Sequence, residues 1–219
     1  MILVKTVLMS PRLLVSGGMN PTTSIIRQVN RDNPEVVAHH VSARFPVPAE
    51  VLFTYLTEEK HLEQWFGKVT RDEFVYEIEG TASGRIESCA DNSFLITWEK
   101  DGDVSFLNVE VTPDGAGSLL AAGYSTRTED LREDFTDRYG SGATAVGWDL
   151  TLWALDRYIA GVTGEPPRDA YAEFVAHSAR GWANADAAAG TIPGDPETIA
   201  DNTYRFYLGL DDGYEKREK

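Results

Sequence analysis

The chain has 219 residues, enough for one domain with an appendage, and its 42% hydrophobic and 11% aromatic content is that of a chain with a buried core. A formal charge of −15 works against a nucleic-acid or anionic-lipid surface, since both rest on clustered Lys and Arg. The single cysteine, Cys89, excludes an internal disulfide and a multi-cysteine zinc site and points to a reducing, cytoplasmic setting, and no apolar run approaches the roughly 20 residues of a membrane helix.

Residues 1–33 carry no sustained period and are expected as a disordered leader, with Met1 or Met19 as the start. From Glu35 the pattern changes. Val37, His39, Val41, Ala43 and Phe45 alternate with a second set of neighbours, which predicts a strand with one apolar face, ended by Pro46 and Pro48. Residues 49–56 and 58–66 read as two short helices, the first with Pro48 in its opening turn and the second stopped by Gly67. A meander of about five strands follows. Phe74, Tyr76 and Ile78 share one face of the first, and residues 80–84 turn the chain. Strands are expected over 85–90, 93–100, 103–112 and 118–125, joined by Asp91-Asn92, Asp101-Gly102 and Pro113-Asp114-Gly115. Asp-Gly marks a type I′ hairpin, because that turn needs positive φ. Connections this short impose antiparallel pairing.

The period then becomes helical. After a charged stretch from Thr128 and a break at Tyr139-Gly140-Ser141-Gly142, residues 144–160 form the longest periodic segment. Trp148, Leu152, Leu155 and Ile159 fall on one stripe, facing the sheet. Val146, Leu150 and Trp153 fall nearly opposite, where a helix backed by water would be polar. Residues 169–189 predict a second amphipathic helix bearing Tyr171, Phe174 and Trp182. Asp195-Pro196 caps a third, bearing Ile199 and Phe206. The expected organisation is a domain over 34–164, a helical extension over 165–210 folded back on the outer face of the long helix, and a frayed end over 211–219.

Several residues are candidates for chemistry. Trp65, Tyr76, Trp98 and Trp148 all point inward by parity and period, with Leu152 beside them; such a set lines either a small-molecule pocket or a plain core. His39 sits on the apolar face of its strand, as a cavity acid or base or as a core-edge histidine. Glu77 and Glu79 share the opposite, solvated face. His61 and His177 lack a partner at ligand spacing, so no metal is expected, and no cofactor fingerprint, P-loop or nucleophile elbow occurs.

Four stretches together carry a resemblance: Pro48-Ala49-Glu50-Val51-Leu52-Phe53 with Leu62-Glu63-Gln64-Trp65; Gly84-Arg85-Ile86-Glu87; Leu95-Ile96-Thr97-Trp98-Glu99; and the segment from Gly147-Trp148 to Tyr158-Ile159. In their order and spacing, residues 35–161 resemble the SRPBCC, or START-like, superfamily, and within it the AHSA-type group similar to the activator of heat-shock protein 90 ATPase. The resemblance implies an α+β helix-grip (Bet v-like) fold, a curved antiparallel sheet around a long C-terminal helix enclosing a cavity. It implies a binder of hydrophobic or amphipathic small molecules, with a protein-interaction module or a cyclase or hydratase as alternatives. Members often carry a His on the strand before the long helix; Tyr124 stands near that position here, which leaves His39 and Tyr124 as the polar candidates and makes an enzyme the lesser expectation. The expected partners are a hydrophobic small molecule or a protein, with no nucleic acid and no membrane.

Overall fold

A computed structural model describes residues 24–191 and 194–211. Among these, eight strands form one antiparallel sheet: β1 (Ile26–Asn30), β2 (Val36–Phe45), β3 (Val69–Arg71), β4 (Val75–Ile78), β5 (Ala82–Ala90), β6 (Ser93–Lys100), β7 (Asp103–Asp114) and β8 (Gly117–Arg127). Their order is β1-β2-β8-β7-β6-β5-β4-β3, so the meander closes on β2 and β1 takes the far edge. The helices α1 (Ala49–Thr57) and α2 (Glu59–Trp65) lie between β2 and β3 in the chain. After β8 come α3 (Glu133–Tyr139), α4 (Gly142–Ile159), α5 (Arg168–Ala188) and α6 (Pro196–Tyr207).

The strand patterns explain the sheet. In β2 the residues Val37, His39, Val41, Ala43 and Phe45 are all buried, while His40 and Arg44 are exposed. Asp91 and Asn92 both take positive φ (53° and 61°), as do Asp101 and Gly102 (54° and 95°), which matches the right-handed twist of the strands they join. Gly84 allows a close approach: a Cβ there would lie 2.1 Å from the Thr97 carbonyl oxygen. Nearby, the β5–β6 register slips between Ile86 and Ser88, a bulge that bends the sheet around α4.

The structure corrects several expectations. The leader was expected to run to residue 33, but β1 pairs with β2 from Ile26↔Ser42 to Asn30↔Ala38. Only five residues long, it is too short for a period to show. The leader up to residue 23, both candidate start methionines and the end beyond Asp211 lie outside the described residues. Phe74 does not share the buried face of Tyr76 and Ile78; it is 65% exposed, because the Asp72 carboxylate accepts from the Phe74 and Val75 amides and makes a turn there. The turn over 80–84 is shorter, since β5 starts at Ala82, and Pro113 continues β7 rather than ending it. The charged stretch holds α3.

The outer face of α4 is covered. Val146 is fully buried, and Trp153 stacks on Phe174 of α5 with ring centroids 4.5 Å apart. At the centre of this layer sits Asp149, with no exposed side-chain surface. One of its oxygens accepts from Arg27 Nε of β1 at 2.7 Å, from Trp182 Nε1 of α5 at 3.2 Å, and from the Ser178 hydroxyl. Burial pushes the Asp149 carboxyl upward, against the pull of Arg27 and of these hydrogen bonds. A second buried carboxylate, Asp186 of α5, accepts from the Ser141 amide and hydroxyl, both at 2.7 Å, and so caps α4 from outside the helix. The α6 helix is capped by its own Asp195, which accepts from the Thr198 amide. It reaches α3 and α4 through Thr203 to the Tyr139 carbonyl and Tyr207 to the Ala143 carbonyl.

Removing one member of a buried ion pair strands the other charge. Arg27→Met is therefore expected to cost roughly 3–5 kcal/mol in urea unfolding at pH 7. Arg27→Met with Asp149→Asn, which removes the stranded charge and keeps an acceptor for Ser178 and Trp182, is expected to recover more than half of that loss. Equal destabilisation in the single and double variants would show that the pairing contributes nothing specific.

Candidate functional site

Between the inner face of the sheet and α4 lies a cavity of about 160 Å³. Its sheet wall comes from alternating positions of β2, β4, β6, β7 and β8; its roof is α4, with Trp148, Thr151, Leu152 and Leu155; α1 and α2 close one end with Leu56, Leu62 and Trp65. Exposed Arg71 stands at the rim. The lining is almost wholly apolar. Trp98 and Trp148 meet nearly edge to face, centroids 5.3 Å apart, and Tyr124 leans on Trp148 at the same distance. These planar groups span the gap between strand and helix without filling it.

Most polar groups on the wall are already engaged. The Tyr76 hydroxyl donates to the Thr97 carbonyl at 2.6 Å, the Tyr124 hydroxyl donates to Ser105 Oγ at 2.8 Å, and Trp65 Nε1 donates to the Tyr55 carbonyl at 3.0 Å. Burial raises both tyrosine hydroxyls above their ordinary range, so neither is an acid at neutral pH. His39 differs. It is 6% exposed, and neither ring nitrogen has a hydrogen-bond partner among the described residues. Its ring is parallel to Tyr124, 6.4 Å away, and perpendicular to Trp182, 5.7 Å away. Burial lowers the imidazole from 6.5 to about 4, with Asp186 opposing the shift and Arg31 and His40 adding to it. His39 is thus a neutral imidazole on the cavity wall, with both ring nitrogens buried.

The structure places His39, Trp65, Tyr76, Trp98, Tyr124, Trp148 and Leu152 together around this one cavity. Trp182 was missed as a lining residue. It belongs to α5, and its place on an amphipathic stripe marked it only as part of a cover; nothing local shows that the stripe passes beyond α4 to reach His39. His61 has a partner the sequence did not show, its Nδ1 lying 2.6 Å from the Tyr158 hydroxyl. No cluster of three potential metal ligands occurs among the described residues, and none of their helices is long and apolar enough to cross a membrane.

No protein-family model matches the chain, and no curated protein matches it in sequence. Solved structures do. The solution structure of CalU16 from Micromonospora echinospora superposes with a TM-score of 0.61 at 20% identity, over 80% of this chain and 100% of that one. The crystal structure of the same protein gives 0.54, over 74% and 95%. The shared fold is a helix grip, an antiparallel sheet set around a long helix. A conserved protein of unknown function from Enterococcus faecalis, EF2215, shares it with a TM-score of 0.53 at 12% identity, over 85% of this chain and 92% of that one. At these identities the likeness is one of fold. CalU16 is spanned whole with 80% of this chain, so the likeness extends past α4 into the helices that follow.

The neutral state of His39 carries a pH signature. An unfolded chain takes up a proton near pH 6.5, whereas the folded chain resists until about pH 4. The unfolded state therefore binds more protons in this window, and stability falls as pH is lowered through it. At 1.36 kcal/mol per unit, His39 accounts for roughly 2–3 kcal/mol of the loss between pH 7 and pH 4.5. Urea midpoints of wild type and His39→Phe at both pH values check this: the variant is expected to lose correspondingly less, and parallel losses would refute it.

Proposed function

We propose that the protein binds a small, mainly apolar molecule in the cavity between sheet and α4. The observation that carries this reading is the cavity itself: apolar, bordered by aromatic side chains, and holding one buried polar side chain without a partner. A core that served packing alone would gain dispersion energy by closing on that space, and would have no reason to bury an unsatisfied imidazole. An apolar void of roughly 150 Å³ is enough for a benzene-sized guest. The helix-grip fold supports the reading, since it builds a sheet wall and a helix roof around such a space. The interaction-module reading has less support: among the described residues the large exposed apolar side chains come singly, as Ile26, Val162 and Leu210, or in pairs, as Phe74 with Val75 and Val104 with Phe106.

Toluene is a sufficient first probe, with Trp98 and Trp148 as fluorescent reporters on the wall. Saturable quenching and a melting temperature that rises with toluene concentration are expected, because a guest bound only by the folded state stabilises it. Ala122→Phe, which fills the cavity from β8, is expected to weaken binding at least tenfold while keeping the far-ultraviolet circular dichroism of wild type. Absence of any saturable uptake by wild type would overturn the reading.

A further inference from the structure

The cavity is not equally well enclosed on all sides. Its lining residues on β2 and β7, which are His39, Val41, Leu107 and Val109, are all buried, whereas Arg71 on β3 and Cys89 on β5 are exposed. The sheet is also incomplete near Cys89. After the Ile86 amide bonds the Phe74 carbonyl, β5 has no further strand partner on its β4 side among the described residues. The α2 helix stands beside Arg71: Glu59 Oε1 accepts from the Arg71 amide at 3.2 Å. Leu62 and Trp65 of α2, and Phe66 just past its end, belong to the lining. A helix of seven residues does not hold by itself, so α2 depends on its contacts.

Two joints bound α2. Glu58, one extended residue (φ −88°, ψ 127°), is all that separates it from α1, and Gly67 follows it at φ 155°. Trp65 Nε1 ties α2 to α1 through the Tyr55 carbonyl. Toward α4, among the described residues, α2 makes one side-chain hydrogen bond, between His61 and Tyr158. His61 Nε2 lies 3.7 Å from Glu58 Oε2, which favours the ring proton on that side, so Nδ1 accepts from the Tyr158 hydroxyl at 2.6 Å. We propose, resting on the reading of the cavity as a ligand site, that α2 is the gate through which the guest enters and leaves, hinged at Glu58 and Gly67 and latched to α4 by the His61–Tyr158 hydrogen bond. Swinging α2 outward takes Leu62 and Trp65 off the lining and opens the cavity toward Arg71, and no strand has to leave the sheet. Other exits cost more. Parting β2 or β7 breaks a ladder on each side, and lifting α4 breaks the buried bonds at Asp149.

The test measures entry and exit of 4-fluorotoluene by 19F exchange spectroscopy on the full chain, with Kd from the same titration. Tyr158→Phe removes the latch hydroxyl and keeps the ring that packs on Tyr55, 5.3 Å away. His61→Phe cuts the same bond from the α2 side. A latch closed in both the empty and the occupied protein slows entry and exit by one factor and leaves their ratio alone. Both variants are therefore expected to speed entry and exit roughly fivefold, the weight of one net hydrogen bond, with Kd within twofold of wild type. Tyr207→Phe is the control, since it removes a bond to the Ala143 carbonyl at a residue outside the lining; its exchange is expected to match wild type. Unchanged exchange in both latch variants overturns the gate and leaves the cavity reading standing. So does equal acceleration in Tyr207→Phe, which would mean a general loosening. A weakened Kd with unchanged entry overturns it too, since the bond would then shape the site. No uptake by wild type overturns the gate and the cavity reading together.

Discussion

A carboxylate halfway along a helix has no water to turn to once both faces of the helix are covered, and Asp149 is in that position. Its needs are met by β1, through Arg27, and by α5, through Ser178 and Trp182. β1 is far from α4 in the chain, Arg27 lying 122 residues before Asp149, whereas α5 is the next helix, so one side chain draws a remote sheet edge and a following helix to a common point. Apolar contact alone would let α5 slide along α4 with little change in buried area. The directed bonds at Asp149, and those of Asp186 at the α4 N-terminus, remove that freedom.

This anchoring reaches the cavity. Trp182 donates to Asp149 with its indole nitrogen and sets its ring against the His39 imidazole, so the same residue that ties α5 to α4 also orients, among the described residues, the one buried side chain on the wall that lacks a hydrogen-bond partner. The apolar lining follows from strand parity, but the hollow itself follows from curvature. A flat sheet would meet α4 along its length and close the gap; the bulge near Ile86 and the side-chain-free approach at Gly84 bend β5 and β6 away. Trp98 and Trp148 then brace strand against helix, edge to face.

Much of this was legible. Period-two alternation marked the buried face of β2, with His39 on it, and the turn pairs Asp91-Asn92 and Asp101-Gly102 marked hairpins whose positive φ values are present. The two stripes of α4 pointed to a layer on each side, and Phe174 on Trp153 shows what covers the outer one. Much of what stayed hidden depends on partners far along the chain, and the rest on local detail that a period does not show. Five residues cannot show a period, and Arg27 falls within the expected leader, so nothing marks it as the partner of Asp149. Asp149 and Asp186 read as the polar positions of amphipathic helices. Phe74 was misplaced because parity continued through a turn that the Asp72 side chain imposes. The site was legible as a set of inward aromatic residues; that His39 goes unsatisfied was not, since a missing partner is a property of the folded surroundings.

The pairing of β2 with β8 has a consequence in time. From β3 to β8 each strand meets the next across a short connection, and these ladders cost little loop entropy to form. The β2–β8 ladder runs from Val36↔Arg127 to Phe45↔Ser118, and closing it must order nearly everything between. The docking of α5 on β1 and α4 waits on that closure, because Arg27 has no place until β1 has β2 to pair with. Chains of such high contact order fold slowly and leave apolar strands uncovered meanwhile. The meander is thus the part built from local pairings, expected to form ahead of the rest, while the edge strand and the late helices close it, and the wall of the hollow is complete only with Trp182 in place.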